Sequence, residues 1–148
     1  MIIDKNLVFG EEQDIKAISG SSSAVAGTDI ITVGKADFGY KGMFFVVKAD
    51  EEIKSASANG NVTISLEASD DSTFSDGVIT LFSQTLVNFV KSTATVAKGG
   101  EIAKTLLRDC GGKKYLKVSF KGDGTWAKAS AQSTMKVSSF ITFDYPNQ

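Results

Sequence analysis

A chain of 148 residues is the length of one domain, enough to bury roughly 70% of its unfolded surface without a disulfide or metal staple. One cysteine and no histidine exclude a disulfide scaffold, a Ser-His or Cys-His nucleophile and a zinc site. A net charge of -1, from 16 basic and 17 acidic residues, argues against a nucleic-acid partner, and no apolar stretch reaches membrane-spanning length.

The chain opens on Met1-Ile2-Ile3-Asp4-Lys5-Asn6-Leu7-Val8-Phe9, which is unusually apolar for a terminus. Termini fray unless something ties them down. The run is too short, and too broken by Asp4, Lys5 and Asn6, for a secretory signal. Ile2, Ile3, Leu7, Val8 and Phe9 therefore need cover. Residues 1–9 are either a first strand on the chain's own sheet or an N-terminal arm against a partner.

Ser21 to Gly27, rich in small residues, reads as an irregular loop, and Asp29 to Val33 as a short strand. Met43-Phe44-Phe45-Val46-Val47-Lys48 is continuously apolar, the pattern of a central strand covered on both faces. Asn61 to Ala68 alternates strictly, with Val62, Ile64 and Leu66 on one side and Thr63, Ser65 and Glu67 on the other. Val78 to Ser83 and Glu101 to Leu107 are further strands, separated by Ala94 to Lys98, another irregular stretch. Tyr115 to Lys121 alternates with Leu116, Val118 and Phe120 inward, and Met135, Val137, Ile141 and Phe143 share one face of a last strand. Turn clusters rich in Gly, Asn, Asp and Ser lie between these segments. The sum is about eight strands with no helix, in a single all-β domain over residues 1–148 that forms a sandwich or barrel.

Few side chains suggest chemistry. Asp70, Asp71 and Asp76 could form a calcium loop, but their spacing fits no known calcium motif and suits a polar turn better. Glu67, Asp70, Asp71 and Asp123 offer carboxylates for glycoside hydrolysis, yet no pair is marked out. Trp126 in Gly122-Asp123-Gly124-Thr125-Trp126, and Phe38 and Tyr40 around Gly39, suit sugar stacking or an interface anchor, or else core positions. Cys110, beside Asp109 and followed by Gly111 and Gly112, reads as a small turn residue whose thiolate is discouraged. Gly99-Gly100 has no following helix and is a turn.

The opening segment, the run Leu66-Glu67-Ala68-Ser69-Asp70-Asp71-Ser72-Thr73-Phe74, then Lys113-Lys114-Tyr115-Leu116-Lys117-Val118 and a last apolar strand ending at Phe143-Asp144 follow one another in a recognisable order. This order resembles the capsid cement proteins of tailed bacteriophages, of the Bordetella-phage type, over nearly the whole length. The Cys110-Gly111-Gly112 turn and the Gly122 to Trp126 loop have no counterpart in it. The resemblance implies a jelly-roll-like antiparallel β-sandwich that assembles as a homotrimer. Such trimers sit outside the head at threefold and quasi-threefold positions and hold neighbouring major capsid protein subunits together. It implies no enzyme activity and no cofactor, and a protein made in the host cytoplasm and carried on the outer surface of the virion. The candidate interface residues are Ile2, Ile3, Leu7, Val8, Phe9, Phe38, Tyr40 and Trp126. The alternative expectation is a jelly-roll carbohydrate-binding or host-adhesion module built on Trp126, Tyr40 and Asp123.

Overall fold

The computed structural model describes residues 7–17, 24–26, 30–33, 43–54, 60–87, 89, 96–107, 109–122 and 132–142. Nine β-segments run through them: β1 (Val8–Asp14), β2 (Ala24–Ala26), β3 (Ile31–Thr32), β4 (Met43–Ala49), β5 (Val62–Ser69), β6 (Ile79–Leu86), β7 (Glu101–Leu107), β8 (Tyr115–Gly122) and β9 (Lys136–Thr142). A 3-10 turn, Ile15–Ala17, follows β1. The strands form two antiparallel sheets, ordered β1-β9-β4-β7 and β2-β8-β5-β6, with β3 also on β8.

The short β2 and β3 lie along successive stretches of the same side of β8, at Ser119 to Lys121 and at Tyr115 to Leu116. Taken as one strand, they leave eight. The two sheets then read 1-8-3-6 and 2-7-4-5, which is the strand order of a jelly roll. The all-β jelly-roll sandwich expected above is the fold. Only β5 and β6 are joined as a hairpin within one sheet. The other connections cross between sheets, so the remaining pairings are long-range and are not visible in local sequence.

Alternation places the core. Val62, Ile64, Leu66 and Ala68 of β5, Leu116, Val118 and Phe120 of β8, and Met43, Phe45, Val47 and Ala49 of β4 all point between the sheets and are buried. A chain of rings links the layers. Phe9 on β1 meets Phe45 on β4 edge-to-face at 5.9 Å, and Phe45 meets Phe82 on β6 at 5.8 Å.

Two expectations are corrected here. Ala24 to Ala26, read as loop, is a strand, because three residues of backbone pairing to β8 need no side-chain pattern. From Val8 onward the opening segment is the first strand, and Leu7 and Phe9, at 2% and 0% exposure, belong to the chain's own core. Neither is left for a partner. Ile2, Ile3, Phe38, Tyr40 and Trp126 lie outside the described residues, as do Asp123 and Phe143.

Candidate interaction site

The outer faces of the two sheets are chemically unlike. On the second sheet, Thr63 and Thr85 pair hydroxyl to hydroxyl at 2.9 Å, and Ser65 and Ser83 at 3.3 Å. Ser119 continues the serine row on the other side of β5, and Lys117 pairs with Glu67 at 3.8 Å. That face is polar throughout these rows. The Lys117 ammonium also lies 4.8 Å from the centre of the Phe74 ring.

On the first sheet, two outward rows are largely apolar, while the next, Ser138, Lys48 and Glu101, is polar. Val8, Phe140 and Val46 stand side by side on β1, β9 and β4, and Phe44 stands beside Leu106 on β7. Val46 and Phe140 are buried although they face away from the core, while Leu106 is 44% exposed. The expectation that β4 is covered on both faces therefore holds. Two ammonium groups lie over this surface, Lys48 at 5.7 Å from the Phe140 ring and Lys104 at 5.5 Å from Phe44.

A cleft of about 290 Å³ opens beside this row, with Val8, Phe140, Ser138 and Lys48 inside and Glu11, Glu12 and Asp50 around it. The bulges in β1 create it. Between Val8 and Gln13 the strand carries two more residues than β9 opposite, because Val8 pairs with Phe140 but Gln13 with Val137. Glu12 takes a positive φ of 49°, a left-handed conformation that costs a non-glycine residue energy. Its N–H donates to Asp50 Oδ2 at 3.0 Å and more weakly to Ser138 Oγ at 3.3 Å, and the Ser138 hydroxyl donates to the same Asp50 oxygen. Asp50 is thus engaged in holding the bulge, and Glu11 and Glu12 turn exposed carboxylates to the rim. The arrangement offers a contact surface with an apolar floor and a charged edge.

Carboxylates tie this end of the sheet together elsewhere too. Asp14 accepts the N–H groups of Lys16 and Met135, and Glu51 accepts from the Lys136 N–H and the Thr134 hydroxyl. Sequence reasoning missed the cleft, since Glu11, Glu12, Asp50 and Ser138 are distant in the chain. One signal was present: Gly10 inside an apolar strand marks a bulge.

The acidic turn after β5 is what the turn reading expected. Asp71 accepts hydrogen bonds from the N–H and hydroxyl groups of both Thr73 and Ser75. Foremost the Ser75 hydroxyl, then the Thr73 groups, hold its carboxyl well below the usual carboxylate range, against a small opposing effect of burial. The turn therefore keeps these bonds from neutral pH down through mild acid and loses them only in strong acid. Asp70 pairs instead with Lys113 at 3.6 Å and accepts the Lys114 N–H. Among the described residues, no three of Cys, Asp and Glu converge as metal ligands.

Cys110 is buried, and its thiol is pushed up to about 11, first by burial and then by the charge of Asp109. The folded state therefore favours the neutral thiol, and its contribution to stability falls as pH rises above the unfolded thiol's range. At pH 8 iodoacetamide should alkylate native Cys110 roughly 100-fold more slowly than the urea-unfolded chain, from thiolate fraction alone. Mass spectrometry over time reads this, and equal rates would contradict the buried position.

No family model matches the chain, and no curated protein sequence matches it.

Proposed function

We propose that the chain is a structural virion protein, a homotrimeric capsid cement protein on the outer surface of a tailed-phage head. In this reading it sits at threefold and quasi-threefold positions and braces contacts between major capsid protein subunits. The observation that carries the proposal is the jelly-roll sandwich with unlike outer faces. The hydroxyl face of the second sheet suits solvent, and the half-buried Val8, the exposed Leu106 and the charged cleft rim of the first sheet suit a protein surface. The sequence resemblance points the same way, and a chain without histidine lacks the commonest general base.

The physics of the task fits such a body. A standard interface buries about 800 Å² per partner, which one face of a small sandwich can supply. Three copies joined as one body bind the shell with an avidity far beyond that of a single contact. No metal or cofactor enters the proposal.

The test uses heads of the encoding phage assembled without this protein. Added full-length chain should co-sediment with expanded heads and raise the temperature at which they rupture. Leu106→Asp, at an exposed position, should fold normally and lose both effects. A chain that binds glycan arrays but neither sediments with heads nor protects them would replace this reading with the host-adhesion module.

A further inference from the structure

Strand β6 ends the second sheet among the described residues, with β5 on one side. Its sequence, Ile79-Thr80-Leu81-Phe82-Ser83-Gln84-Thr85-Leu86, has no charge and no proline. Native proteins usually protect a sheet edge with one of these, because unpaired N–H and C=O groups recruit another strand. The strand's one irregularity is the extra residue Leu81, between Thr80 opposite Glu67 and Phe82 opposite Leu66. From Phe82 to Leu86 the pairing with β5 is regular, and Ser83, Gln84 and Thr85 are each exposed. Five large apolar side chains are exposed among the described residues, and three of them, Val78, Ile79 and Val87, lie on β6 or beside its ends. The exposed apolar surface is concentrated at this edge.

We propose that β6 pairs antiparallel with β6 of a second copy of this chain, about a twofold axis through Gln84, joining two five-stranded sheets into one. The register follows from the faces. Phe82, Gln84 and Leu86 lie opposite Leu66, Ile64 and Val62 and share the core side, and Ser83 and Thr85 lie opposite Ser65 and Thr63 on the outer side. A twofold at Gln84 sets Phe82 against the partner's Leu86, Ser83 against the partner's Thr85, and the two Gln84 amides against each other. Apolar meets apolar, hydroxyl meets hydroxyl, and a primary amide both donates to and accepts from its copy.

The hydroxyl rungs Ser65–Ser83 and Thr63–Thr85 then run on across the seam without a break. Because the strand is neutral, self-pairing brings no like charges together. This contact is isologous, so it doubles whatever body the chain otherwise forms: a monomer to a dimer, a trimer to a hexamer. It rests on the β6 edge alone and stands independently of the capsid reading.

Light scattering coupled to gel filtration, run on the full chain over a range of concentrations, tests it. The wild type should approach an even number of copies as concentration rises. Gln84→Lys and Gln84→Glu each place like charges face to face on the axis and should halve the mass, with unchanged circular dichroism and melting. Mixing the two variants pairs opposite charges and should restore the doubled mass. A wild type that stays monomeric or trimeric throughout overturns the proposal, as does a doubled mass that Gln84→Lys leaves intact. An edge used by an extended segment of another protein would appear as the first of these outcomes.

Discussion

Phe9→Ala is expected to destabilise the protein by about 3–5 kcal/mol, the largest effect of any single change considered. For a chain of this length that corresponds to a fall in melting temperature of roughly 10–15 °C. Phe9 has no exposed surface, stacks edge-to-face on Phe45, and begins the ring chain that reaches Phe82 in the opposite sheet. Truncation removes the ring contact with Phe45 and leaves a cavity where the first strand meets the core. Val8→Ala, one residue away on the outward side and half-buried, should cost about 1 kcal/mol. A chain lacking residues 1–9 loses Leu7 and Phe9 together and should fail to melt cooperatively. If Phe9→Ala and Val8→Ala melt alike, β1 does not present its faces as described.

Asp50→Ala is expected to cost about 1–3 kcal/mol and to release the β1 bulge. One Asp50 oxygen accepts from both the Glu12 N–H and the Ser138 hydroxyl, and Ser138 is itself buried. Removing the acceptor leaves a buried hydroxyl with a weaker partner and takes away the bond that holds Glu12 at positive φ. Glu12→Gly tests the other half of the same device. Glycine adopts that backbone freely, so the substitution should be neutral to stabilising, by up to about 1 kcal/mol, as relief of strain offsets the added chain entropy of the unfolded state. Amide hydrogen exchange at Glu12 should quicken markedly in Asp50→Ala and little in Glu12→Gly. Equal exchange in the two variants would mean that Asp50 does not hold the bulge.

If Asp50 sets the cleft's shape, the same variant bears on function. A collapsed or splayed bulge alters the surface formed by Val8, Phe140 and the Glu11 and Glu12 carboxylates. Weaker binding to heads by a still-folded Asp50→Ala would place the cleft within the capsid contact. The β6 edge lies in the other sheet, separated from β1 in both layers' strand order. Changes at Gln84 and at Asp50 should therefore act on self-association and on head binding separately.

Much of the fold was legible because strands that face water on one side must alternate. Asn61 to Ala68 and Tyr115 to Lys121 do so without exception, and they became β5 and β8, the paired middle of the second sheet. Met43 to Lys48, apolar without alternation, became a strand with buried side chains on both faces, as double burial requires. The acidic turn was legible too, since Asp at such a site answers to its own backbone.

β2 was illegible, because its three residues carry no periodicity and only β8 makes them a strand. The cleft was equally hidden. Asp50, Ser138 and Glu12 are brought together by the β1-β9-β4 order, across separations of up to 126 residues. The same holds for Phe140. Its neighbours Val137 and Ile141 mark a core strand, but nothing local tells that Phe140, on the opposite face, is buried beside Val46.

The sequence by itself determined that this is an all-β fold with alternating strands, with few side chains suited to catalysis and with an apolar first segment in need of cover. Alternation and composition are local properties, and local properties suffice for that. Only the tertiary structure decided what the cover is. Leu7 and Phe9 go into the chain's own core because β1 pairs with β9, at the far end of the sequence, and that pairing turns one face of the segment inward. Val8, on the other face, is the member of the trio left for the outer surface. Which side chains meet across the layers depends on long-range strand order, and strand order is fixed by burying both sheets' apolar faces at once.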